Sequence, residues 1–211
     1  MRLEKLADWP SPKATKRIVY LGFINYWFVW PLIMYFGFFS GYAVQNITSQ
    51  ASFSAELIKS CFRGMSSQQL LYYRINQLFD QGYIFSYALI MFGLPLYVAR
   101  HFEEGSKWRD SGFIVALFGI IVGISDGITN TIIIMMTFDP YGFPDSWAIV
   151  HSGFFMITLT GFAIGAVWLI LADIKLKKRE DFTGRQFLVV IGLLLWVHWH
   201  WIPYFLAILS A

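Results

Sequence analysis

Asp126, Asn130, His151, His198 and His200 are the residues of this chain whose chemistry sits least easily in their surroundings, because each falls inside a long apolar stretch. A carboxylate at the middle of a bilayer costs at least about 2.5–3.5 kcal/mol on insertion scales, so it must face protein or water and find a partner. Asp126 precedes Thr137, the end of its stretch, by eleven residues, which is about 16 Å at helical rise. His198 and His200 precede Ser210 by twelve and ten residues, so the three side chains share a depth. Asn130 lies one turn above Asp126, and His151 opens the following apolar stretch.

Three kinds of chemistry suit this set. A buried Asp–His or Asp–Asn hydrogen bond would fix helix register. A chain of carboxyl and imidazole groups would relay protons or carry a small solute, since such groups at mid-membrane mark transport paths. Imidazole and carboxylate are also ligands for copper, iron or zinc, with His151, His198, His200 and Asp126 as the candidates. No HxxxH or ExxH pair places two ligands on one helix face, so the sequence leaves any metal, haem or pigment open. His198 and His200 are two residues apart and point to nearly opposite sides of a helix. At most one of them joins Asp126. His101 belongs to a basic loop and reads as solvated.

Helices must position these groups. Of 211 residues, 57% are apolar and 14% charged, against roughly 25% charged in a soluble domain, which points to a membrane protein. The single Cys61 excludes an intramolecular disulfide or a CxxC site. A net charge of +3, distributed by loop, gives no basic patch for nucleic acid. Five stretches, about 18–44, 83–99, 112–137, 147–172 and 187–210, are long enough to cross a hydrocarbon core of about 30 Å. Lipid leaves helices as the sensible choice, since the alternation that a barrel needs is absent. The first stretch is longer than a signal h-region and reads as an uncleaved anchor after a tail, 1–17. The expected fold is therefore all-α: a single transmembrane domain, 18–211, of five spans. Thirteen of the sixteen basic residues fall on one side of this threading. The positive-inside rule makes that side cytoplasmic, with the N-terminus inside and the C-terminus outside, in a bacterial or archaeal plasma membrane.

The connection between the first two spans carries Leu57, Ile58, Cys61, Phe62 and Met65, then Leu71, Ile75, Leu78 and Phe79, at helical spacing. With Ser66 or Ser67 as a cap, it predicts an outer amphipathic helical hairpin over 53–80. Pro31, Pro95 and Pro203 fall inside spans and predict bends. Gly119, Gly123 and Gly127 make two GxxxG steps on the third span. Gly161 and Gly165 make one on the fourth, which also has Gly153, so these glycines predict close packing of the two helices. Aromatic residues, 19% of the chain, gather near span ends as interfacial belts.

One stretch has a family resemblance. Gly112-Phe113-Ile114, Phe118-Gly119, an asparagine at Asn130, a short outer loop with Pro and Trp, and His151-Ser152-Gly153-Phe154 are loosely similar to the C subunit of the copper membrane monooxygenases that oxidise methane or ammonia. The similarity covers residues 112–173, under a third of the chain, and the family's aspartate and paired histidines before the second span have no counterpart here. A further family histidine falls near Ile134. Only Asn130 and His151 can be carried over as ligands by that resemblance.

The sequence thus leads to a small transport protein passing a proton, ion or small solute by a route centred on Asp126. Asn130, His151 and one of His198 and His200 would be its partners. The alternatives are a membrane-embedded enzyme or redox-complex subunit acting on a lipophilic substrate, and an accessory subunit of a larger membrane complex. Few intramembrane polar groups and the absence of an internal repeat predict self-association or membrane-protein partners within the lipid bilayer.

Overall fold

The computed structural model describes residues 5–41 and 50–176, and among them every regular element is helical. A short α1 (Lys5–Asp8) leads into α2 (Pro12–Ser40). Then follow α3 (Ala55–Arg63), α4 (Ser67–Ala99), α5 (Lys107–Met136) and α6 (Asp145–Leu176). Four of them, α2, α4, α5 and α6, are long and apolar enough to cross a membrane. The chain is an all-helical bundle with the character of an integral membrane protein. The fifth expected span, 187–210, lies outside the described residues, and so do His198, His200 and Pro203.

Local sequence sets the helix ends. Ser11 caps α2 by accepting from the Ala14 amide, with Pro12 in the first helical position where its missing N–H costs nothing. Gly41 closes α2 at φ +69°, the left-handed conformation that ends many helices. Ser66 and Gln69 form a capping box at the start of α4. Ser54 and Ser106 cap α3 and α5.

The expected hairpin over 53–80 takes a different form. Its first arm is α3, but its second arm is not a separate helix, because Ser67–Ala99 runs unbroken from the capping box through the second span. The one Gly or Pro between Ser66 and Tyr83 is Gly82, so nothing stops the helix at Tyr83. α2 begins at Pro12, within the stretch 1–17 expected as a tail.

α2 packs along α4, α4 along α5 and α5 along α6, while α4 and α6 touch lightly and α3 rests on α6. Lipid provides no hydrophobic drive between helices, so small residues and polar cross-links hold such contacts. A β-carbon on Gly119 would come within 2.5 Å of the Met91 backbone, and one on Gly123 within 2.6 Å of the Ala88 methyl. The glycine stripe of the third span therefore seats α5 on α4, where the sequence pattern alone paired it with the fourth. Gly161 does face α5, against Val122, whereas a β-carbon on Gly165 would come within 3.1 Å of the Met91 methyl, and Gly127 lies beside Gln81. Between α2 and α4, Asn25 Nδ2 donates to Gly82 O at 2.7 Å and to Ser86 Oγ at 2.8 Å.

At the end where α4 meets α5, Arg100 clamps the N-terminal segment. Its guanidinium donates to Leu6 O, Pro10 O and Thr15 Oγ1 at 2.7–3.1 Å. Burial lowers its pKa, a shift that the charge of Asp8 opposes.

Candidate functional site

The site is built on one stripe of α4. Asn76, Asp80, Tyr83 and Tyr87 recur at i, i+4, i+7 and i+11, which places them on one face of a helix. Asn76 reaches back to α2, donating from Nδ2 to Ile33 O at 2.6 Å. The rest of the stripe meets α5 and the aromatic side chains around it.

Two carboxylates lie along the α4–α5 seam, each held by one polar neighbour on the opposite helix. Tyr87 Oη donates to Asp126 Oδ2. Asn130 Nδ2 donates to Asp80 Oδ2 at 2.7 Å and approaches Gln77 O at 3.5 Å. The two contacts lie about one helical turn apart along α5, since Asp126 and Asn130 are four residues apart. Gln81 Nε2 donates to Gly127 O at 3.3 Å between them. Among the described residues, the two ion pairs are Lys59–Asp145 and Arg63–Glu56. Neither seam carboxylate has a cationic side chain beside it among those residues.

Aromatic rings wall the seam. Tyr83 packs against Tyr26 of α2, with ring centroids 5.1 Å apart. Tyr26 stacks on Trp30. Tyr87 packs edge-on against Phe162 of α6 at 4.8 Å. Tyr87 thus has its hydroxyl directed at a polar partner and its ring packed on an apolar one.

The sequence-predicted residues separate as follows. Asp126 and Asn130 both lie on the seam, but they bond to different partners on α4 and not to each other. His151 is wholly buried on α6, and neither of its ring nitrogens has a hydrogen-bond partner among the described residues. His101 is exposed, with Nδ1 2.9 Å from Tyr97 O. Sequence reasoning missed Asp80 and Gln77, because it assigned 53–80 to an outer hairpin and began the span at Tyr83; it missed Tyr87 inside that span, where one more aromatic residue carries no mark of a polar partner. The signal was present in the unbroken stripe from Asn76 to Tyr87.

Family models, curated proteins and solved structures provide no match to this chain. The similarity over residues 112–173 therefore rests on its sequence pattern alone. Among the described residues, no three His, Cys, Asp or Glu side chains gather closely enough to hold a metal ion. What the seam offers chemically is two carboxyl groups with hydroxyl and amide partners, able to bind and release a proton or to coordinate a small cation.

Proposed function

We propose that this chain is a small integral membrane protein that moves a proton, ion or small solute across the bilayer by a polar route centred on Asp126. The observation that carries the reading is the presence of two carboxyl groups on the α4–α5 seam, Asp126 held by Tyr87 and Asp80 by Asn130, with no cationic side chain beside either among the described residues. Two neighbouring carboxyl groups out of water strongly disfavour carrying two negative charges at once. A proton or a small cation supplies the missing positive charge, so cargo of that class fits the site best. Tyr87 and Asn130 then act as neutral ligands that hold each carboxyl group while its charge changes.

Transfer along the seam needs short steps. Tyr87, Asp126, Tyr83, Asp80 and Asn130 alternate hydroxyl, carboxyl and amide groups over about two to three helical turns. Hydroxyl and carboxyl groups both accept and donate protons, which suits a proton best of the three cargoes. The basic residues favour an N-terminus in the cytoplasm of a bacterial or archaeal cell, and reporter fusions after residues 104 and 141 test that orientation.

Purified protein in liposomes, under an imposed proton or sodium gradient, tests the function. Flux is expected to disappear in Asp126→Asn and in Asp80→Asn while both variants keep their folded yield. Undiminished flux in both would contradict the proposal.

A further inference from the structure

Among the described residues, His151 and Gln77 hold buried polar atoms that nothing in the described chain satisfies: both ring nitrogens of His151 and Oε1 of Gln77. The two residues are 0% and 2% exposed. Native interiors rarely leave such atoms bare, and internal water commonly satisfies those that protein does not.

The register of the helices brings these atoms to one level. Along α5 and α6, Trp168 Nε1 donates to Ser111 Oγ at 2.9 Å, and Gly161 lies against Val122. Followed towards the connection after Met136, that antiparallel match puts His151 level with residues 128–132. Along α4 and α5, Gly119 faces Met91, Gly123 faces Ala88, and Asn130 bonds to Asp80 and approaches Gln77 O. Gln77, Asn130 and His151 therefore stand within about one helical turn of one another on three helices. His151 also shares its α6 stripe with Gly161 and Gly165, which face α5 and α4. At this end, α3 lies over α6, held by the Phe53 amide on Ser152 Oγ at 3.1 Å and by the Lys59–Asp145 ion pair at 2.9 Å.

We infer that this level holds a bound water, or a molecule equally small and amphiprotic, which bridges His151 to Gln77 and the Asn130–Asp80 pair and continues the polar route towards α3. The groups themselves define the occupant. A neutral imidazole presents one donor and one acceptor, and Gln77 Oε1 is an acceptor. Water meets either tautomer, donating to Gln77 Oε1 while it accepts from the imidazole N–H or donates to the bare ring nitrogen; the two ring nitrogens point in different directions, so a second such molecule serves the other. Exchanging the amide oxygen and nitrogen of Gln77 leaves a bare donor in place of a bare acceptor, and the same occupant serves it. The extension of the route rests on the function proposed above, whereas the bound water does not.

The test uses the full chain in lipid bilayers with its histidines labelled with nitrogen-15, and His151→Phe identifies the His151 signals. In water-edited solid-state NMR, polarisation from water is expected to reach the His151 ring as readily as that of exposed His101. That transfer is expected to be lost in Gln77→Leu. Flux in His151→Phe is expected to fall about tenfold or more, as for loss of a positioned proton carrier, with partial recovery in His151→Asn. A His151 ring that receives no polarisation, in protein whose flux still depends on Asp126, would overturn the inference and leave the proposed function standing. Transfer to His151 with flux indifferent to Asp126 would keep the water and remove the route.

Discussion

Asn130 is 2% exposed and donates to Asp80, so its replacement by leucine strips a carboxylate of its only described side-chain donor. Hydrogen bonds to charged groups contribute about 1.5–3 kcal/mol. Asn130→Leu is expected to lower stability by about that amount, read as a lower midpoint of unfolding in detergent. An unchanged midpoint would mean that Asp80 is satisfied elsewhere. Tyr87→Phe separates structure from chemistry at the neighbouring carboxylate. The ring keeps its packing on Phe162, so the fold is expected to survive while flux falls. Equal flux would show that the phenol hydroxyl has no part in transfer. Asp126 and Asn130 were legible in the sequence because a polar residue inside an apolar run stands out against lipid cost. Asp80 was not, since it sits among Gln77, Gln81 and other polar residues that resemble a water-facing helix. Periodicity reveals that a helix has two unlike faces, and it does not say whether the polar face meets water or another helix.

The long helices were legible for the same reason that the site was partly hidden. Apolar runs such as 113–136 and 147–172 leave lipid crossing as the natural outcome. The boundary at Tyr83 was lost because hydropathy averages residues without regard to where they point, while hydrogen bonding continues through Asp80 and Gln81. Helix partners were beyond the sequence too, since a GxxxG stripe states that something approaches closely and not which helix it is. Glycines on α5 and α6 make this testable. Gly119→Leu is expected to push α5 from the Met91 backbone and abolish the folded yield. A methyl group added at Gly153 would meet nothing within 4 Å, so Gly153→Ala is expected to raise stability by about 0.5–1 kcal/mol through helix propensity. Folded yield of the first variant and thermal unfolding of the second check the pair, and a Gly119→Leu protein that folds as well as Gly153→Ala would contradict the assigned packing.

Across the whole molecule, two polar devices hold opposite ends. Arg100 gathers α1, the start of α2 and the end of α4, and Lys59–Asp145 ties α3 to α6. The second is an exposed pair, of the kind that contributes about 0–1 kcal/mol. Arg100→Ala should therefore lower the unfolding midpoint clearly more than Lys59→Ala does, and the reverse order would show that the N-terminal segment is held by other contacts. The seam between them gives the molecule its proposed work. The most direct test is dye-reported proton flux into liposomes containing wild-type, Asp126→Asn or Asp126→Glu protein at equal folded content. The account predicts flux for wild type, none above empty liposomes for Asp126→Asn, and partial flux for Asp126→Glu; wild-type flux from Asp126→Asn would contradict it.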